Sequence, residues 1–158
     1  MVFHFTTIWQ INAPIEKVCN AIYQSDRWPE WWPSVKEAED LISGDEQGIG
    51  RVCRFIWQGR LPYRLHFDME VASFSPLHLI EGLATGDVIG IGRWVFSVNS
   101  GITEVRYEWR VRIANPWISF LAGLTAPIVR WNHNGVMQQG GESLARLLNA
   151  TLINIEHY

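Results

Sequence analysis

The chain is poor in the residues that announce many functions: it has two cysteines, two lysines and no run of like charge. Cys19 and Cys53 stand inside expected elements without the paired spacing of a metal site, so they are expected as buried free thiols rather than a disulfide. No apolar stretch approaches the roughly 18 residues that a spanning helix needs. The opening MVFHFTTIWQ lacks the basic flank, apolar core and small-residue cleavage site of a secretory signal. A cytoplasmic protein without stable membrane insertion is the expectation. Thirteen basic and sixteen acidic side chains scatter along the sequence and leave a formal charge of -3, which speaks against a nucleic-acid partner. Repeats, low-complexity tracts and linkers are also missing. The 158 residues read as one domain over 1–150 followed by a short tail, 151–158.

Aromatic side chains, by contrast, are abundant, with nine tryptophans, seven phenylalanines and four tyrosines. At that density large flat groups either overfill a small core or line a space inside it. Residues 3–11 place Phe3, Phe5, Trp9 and Ile11 at even spacing and predict a strand. Asn12-Ala13-Pro14 then offers a capping side chain and an early proline to a short helix carrying Ile15, Val18, Cys19 and Ile22. The proline-broken stretch Arg27-Trp28-Pro29-Glu30-Trp31-Trp32-Pro33 predicts a compact turn or short helix.

From Val35 to Ile113 the period changes to that of strands, punctuated at Gly44-Asp45, Gly59, Ser75-Pro76, Gly86-Asp87 and Asn99-Ser100-Gly101. The segment from Thr103 to Ile113 alternates cleanly, with Val105, Tyr107, Trp109, Val111 and Ile113 on one face. Asn115-Pro116 opens a long terminal helix to Leu148, with an interruption expected at Thr125-Ala126-Pro127 and a stripe of Val129, His133, Met137, Gly140, Leu144 and Leu147. One strand, short helices, a six-strand meander and a long last helix pack most economically as a bent sheet gripping that helix. The fold class is therefore α+β, with about seven antiparallel strands curved around the C-terminal helix.

In that order the chain resembles the START-like (SRPBCC) superfamily and, within it, the polyketide cyclase/dehydrase and lipid-transport family. The stretches that carry the resemblance are Ile11-Asn12-Ala13-Pro14-Ile15-Glu16-Lys17-Val18, Trp28-Pro29-Glu30-Trp31-Trp32-Pro33, Gly48-Ile49-Gly50, Leu61-Pro62-Tyr63, Gly86-Asp87 with Gly90 and Arg93-Trp94, and Trp131-Asn132-His133 with Met137. The resemblance implies a helix-grip fold with an apolar cavity between the sheet and the last helix. It implies no particular reaction, because one fold hosts many functions.

Trp57, Tyr63, Phe67, Trp94, Tyr107 and Trp109 lie on apolar strand parities and are candidate ligand-binding residues, joined by Asn132, His133 and Met137 of the terminal helix. His133 could exchange a hydrogen bond or proton with a ligand oxygen; alternatively it is a core histidine with its own protein partner. Glu81 shares the parity of Leu77, Leu79 and Leu83, so it is either an inward carboxylate beside His133 or a solvated, salt-bridged one. His66, Asp68 and Glu70 share a strand face but oppose Leu65, Phe67, Met69 and Val71, which places them on the wet side and predicts no metal site. The glycine-rich 86–92 segment lacks the third glycine and helix start of a dinucleotide loop, and no cofactor is expected. Three functions remain open: binding or transport of a lipid, isoprenoid or aromatic polyketide; a cyclase, aromatase or dehydrase using His133 and Glu81; or an interaction module presenting a Trp28–Trp32 patch to a protein or membrane.

Overall fold

A computed structural model describes residues 2–124 and 126–158. Eight antiparallel strands form one sheet: β1 (Val2–Ile11), β2 (Val35–Ile42), β3 (Val52–Trp57), β4 (Leu65–Ser75), β5 (Leu79–Gly86), β6 (Val88–Asn99), β7 (Ile102–Ile113) and β8 (Leu152–His157). Their spatial order is β2-β3-β4-β5-β6-β7-β1-β8, so the meander from β2 to β7 runs in sequence and each expected turn signal falls between consecutive strands. Alternation sets the faces. Along β7, Thr103, Val105, Trp109 and Val111 are buried while Arg106, Arg110 and Arg112 are exposed. Register shifts at Gln10/Ile11, Val35/Glu37, Asp40/Ile42 and Val71/Ser73 introduce irregularities of the kind that bend strands.

Residues 152–157, expected as a tail, are instead the eighth strand. They pair with the free edge of β1 from Thr7↔His157 to Ile11↔Leu152. An unpaired edge leaves a row of backbone donors and acceptors, and the C-terminal segment supplies their partners, down to a reciprocal Thr6–Tyr158 bond pair.

Three helices accompany the sheet: α1 (Ile15–Tyr23), α2 (Pro116–Leu124) and α3 (Ala126–Leu147). Asn12 does not cap α1; Pro14 occupies the cap position, and its carbonyl accepts from Lys17 and Val18. Asn115 does cap α2, its side-chain oxygen accepting from the Trp117 backbone at 3.0 Å. The expected interruption of the terminal helix falls on Thr125, outside the described residues; Pro127 sits in the first turn of α3, where a missing N–H costs little. Leu147, assigned to the inward stripe, is half exposed, and Gly141, Ser143 and Ala145 are buried in its neighbourhood instead.

A 3₁₀ segment, Ser25–Glu30, carries Trp28 inward, and Trp32 follows with none of its surface exposed. The Trp28 indole donates to the Ala21 carbonyl and the Trp32 indole to that of Val136. These two rings are core and Trp31 between them is partly buried, so the alternative of a Trp28–Trp32 partner patch loses two of its three rings: each buried indole already has its ring contacts and its hydrogen-bond partner. The exposed tryptophans are Trp117 and Trp131, on α2 and α3. Arg51 fixes the 3₁₀ segment from below, donating to Asp40, Asp26 and the Tyr23 carbonyl from an almost buried guanidinium.

Two adjacent glycines let α3 approach this aromatic core. A Cβ on Gly140 would overlap Trp32, and one on Gly141 would sit 2.9 Å from the Trp9 indole nitrogen. The bare backbone admits both rings, and each indole reaches a helix carbonyl: Trp32 to Val136 and Trp9 to Met137, both at 3.1 Å.

Candidate functional site

Between α3 and the inner face of the sheet lies a cavity of about 100 Å³. Its wall draws Phe3 and Phe5 from β1, Trp57 from β3, Leu65 and Phe67 from β4, Val88 from β6, Tyr107, Trp109, Val111 and Ile113 from β7, and Val129, Asn132, His133, Val136 and Met137 from α3. Strands distant in sheet order meet there only because the sheet curves around the helix. Among the described residues no Asp, Glu, Lys or Arg lines the space, so an occupant would meet chiefly hydrocarbon and ring faces.

The polar groups on the wall are few and individually placed. His133 stacks on Phe5 at 4.2 Å, and Arg130 covers the same phenyl ring at 4.8 Å. The Nε2 of His133 is buried without a hydrogen-bond partner among the described residues. Burial, reinforced by the nearby positive groups His157 and Arg130, pushes its imidazole down to about 3, so the ring is neutral at physiological pH. The indole nitrogen of Trp57 is likewise buried and unpartnered. Burial also raises the Tyr107 hydroxyl, holding it as the neutral phenol.

Asn132 plays a different part. Its side-chain oxygen accepts from the backbone of Arg60 at 2.7 Å and Leu61 at 3.1 Å. It latches the β3–β4 loop onto α3 and closes one end of the cavity. Gly59 permits this, since a Cβ there would meet Asn132 Oδ1 at 2.5 Å.

A second interior space of about 70 Å³ lies beside the first, with Ile22, Trp28, Cys53, Phe55, Met69, Ile80, Gly82 and Trp94 among its walls. Trp57, Phe67 and Tyr107 border both spaces and form the partition between them. The tryptophans therefore do both things their number suggested: they fill most of the interior and line what is left of it.

Of the nine candidate ligand-binding residues, the structure brings Trp57, Tyr63, Phe67, Tyr107, Trp109, Asn132, His133 and Met137 around the first cavity; Trp94 lies on the second. Glu81 is elsewhere. The inward parity of β5 is Ile80, Gly82 and Ala84, and Glu81 faces out, where Arg93 binds its carboxylate at 2.7 Å. The pairing of Glu81 with His133 as acid and base is thereby lost, and no other carboxylate borders either interior space among the described residues. Asp68 is also on the outer face, held by Arg54 of β3. Asp87 of the glycine-rich segment is a joint between strands, accepting from the His66 backbone and the Asn115 side chain. Cys19 and Cys53 are buried and free, and burial pushes their thiols up to about 11 and about 12 respectively.

Sequence reasoning missed Phe3, Phe5, Leu65, Val129 and Val136 as wall residues. Phe3 and Phe5 stood on a recognised inward parity, and Val129 on the recognised helix stripe; only the distance between that strand and that helix in the folded chain was invisible.

Comparison with known proteins agrees with this architecture. The sequence profile described as polyketide cyclase / dehydrase and lipid transport matches residues 2–149. Similar solved structures include the protein TTHA0849 of Thermus thermophilus, 15% identical with a TM-score of 0.73 over 92% of this chain and 99% of that one. A START superfamily protein of Mycobacterium smegmatis is 13% identical with a TM-score of 0.69, covering 93% of this chain and 98% of its own. The Zhui aromatase/cyclase of Streptomyces sp. R1128 is 15% identical with a TM-score of 0.61, covering 93% and 96%. No curated protein sequence matches.

Proposed function

The chain belongs to the polyketide cyclase / dehydrase and lipid transport family of the START-like superfamily, and we propose that it binds a small hydrophobic molecule in the cavity between the sheet and α3. The observation that carries this reading is an interior space walled by ring faces and aliphatic groups, with no charged side chain among the described residues that line it. Water gains little there, whereas an apolar ligand recovers roughly 25 cal/mol for each Å² it removes from solvent. The unpaired thiols Cys19 and Cys53 suit a reducing, cytoplasmic setting.

The test is extraction of the protein purified from its native host, followed by mass spectrometry, together with titration of the refolded protein with an environment-sensitive apolar dye. A stoichiometric hydrophobic compound, or a dye that competes with it, supports binding. Protein that carries nothing and neither takes up the dye nor is stabilised by any apolar compound overturns it.

A further inference from the structure

We infer that the ligand is an uncharged, oxygen-bearing molecule about one ring in size, anchored through its oxygen by Nε2 of His133 and Nε1 of Trp57. This rests on the cavity being a binding site. Size is the first constraint. A space of about 100 Å³ is comparable with the roughly 150 Å³ apolar cavity that accepts benzene, and falls well below the roughly 300–1,000 Å³ of sites for drug-sized ligands. The adjoining space adds only about 70 Å³, and the Trp57–Phe67–Tyr107 partition stands between the two. A lipid chain or a fused multi-ring compound does not fit the cavity as it is formed.

Polarity is the second constraint. Four buried side-chain polar atoms lack a hydrogen-bond partner among the described residues: Thr7 Oγ1, Trp57 Nε1, His133 Nε2 and His157 Nδ1. Two of these, on Trp57 and His133, belong to residues on the wall of the same apolar cavity, although they come from β3 and α3. An indole N–H can only donate, so it calls for an acceptor oxygen. The imidazole nitrogen serves an acceptor or a donor according to tautomer. A hydroxyl satisfies both groups in either case, and a carbonyl satisfies both when Nε2 carries the proton.

Charge is the third. With no Lys or Arg among the described wall residues and a His133 ring held neutral by its burial, a carboxylate would enter without a counter-ion and lose most of its solvation. The protein should therefore discriminate against acids in favour of phenols, alcohols and ketones of the same shape.

Calorimetric titration of the full chain at pH 7 with toluene, p-cresol and p-toluate tests this, in the wild type and in Trp57→Phe and His133→Phe. Leaving a buried polar group unpaired costs enough to shift an equilibrium about 5- to 150-fold. The expected result is p-cresol binding about tenfold or more above toluene, with p-toluate weaker than p-cresol by at least that factor. Each substitution should erase most of the p-cresol advantage over toluene measured in the same variant, and cooperative urea unfolding shows that the variant is folded. Toluene equal to p-cresol in the wild type would mean that water already serves the two nitrogens, and overturns the inference while leaving apolar binding intact. A preference for p-toluate overturns it as well. Binding of none of the three overturns the inference as well, and a hydrophobic compound extracted from the native protein would then leave the proposed function standing.

Discussion

Replacing Gly140 by alanine sets helix propensity against packing. In the middle of α3 the substitution relieves a backbone-entropy cost and, by propensity alone, stabilises by about 0.5–1 kcal/mol. The added methyl, however, overlaps the six-membered ring of Trp32 and lies 2.9 Å from its Nε1. Trp32 has no exposed surface into which to retreat, and rings of Trp9, Trp28, Trp31, Trp57 and Trp94 pack around it. Overpacking of this kind costs about 1–3 kcal/mol, and an indole pushed off the Val136 carbonyl strands a buried donor for about 1–3 kcal/mol more. The expected net effect of Gly140→Ala is destabilisation by about 1–5 kcal/mol, lowering Tm by roughly 2–20 °C at this chain length. Gly135→Ala on the same helix is the control. Its Cβ would meet Arg60, 2.8 Å away at Nε, and that exposed side chain can move aside, so a gain of about 0.5–1 kcal/mol is expected. Urea unfolding followed by tryptophan fluorescence measures both. If Gly140→Ala stabilised the protein as much as Gly135→Ala, the close seating of α3 on Trp32 would be refuted.

Further predictions concern the cavity and its neighbours. His133 is held near 3 in the folded state against an ordinary value of 6.5, so the unfolded chain binds more protons between those limits; the stabilisation is full above pH 6.5 and is lost as the pH falls toward 3. The stability of wild type relative to His133→Phe, taken from urea titrations at pH 4 to 7, should drop by about 1.4 kcal/mol per pH unit in that window, and a pH-independent difference would contradict the buried neutral imidazole. Trp57→Ala removes part of the partition between the two spaces: it should cost about 3–5 kcal/mol in stability yet admit 2-naphthol, which the wild type excludes in a calorimetric titration. Cys19 and Cys53, buried and with raised thiols, should resist a colorimetric disulfide reagent at pH 8 and react stoichiometrically only in denaturant; fast reaction of either in the native protein would contradict their placement.

Much of the fold was legible because it is local. Alternation along β7, turn residues between β2 and β7, and the Asn115 cap are properties of a few neighbouring residues, and each reads the same in the sequence as in the folded chain. Among the candidate wall residues, Trp57, Phe67, Tyr107 and Trp109 could be chosen for the same reason, since a strand with one apolar parity has only one face to bury. Glu81 resisted because both parities of its segment are apolar; the face was decided by Gly82 and Ala84 sitting inward on β5 and by Arg93 arriving from β6 outside. The 151–158 segment carries little pattern of its own and became β8 because the edge of β1 was left open.

The sequence by itself determined the order of elements, the inward sets and the aromatic wealth of the interior, since these follow from periods of two and 3.6 and from composition. Only the tertiary structure decided how much of that interior stays empty, which indoles find a carbonyl and which do not, and that His133 and Trp57 share the wall of a small apolar space without a carboxylate. Those outcomes depend on the distances at which separately legible elements come to rest, and close packing sets such distances through contacts between residues far apart in the chain.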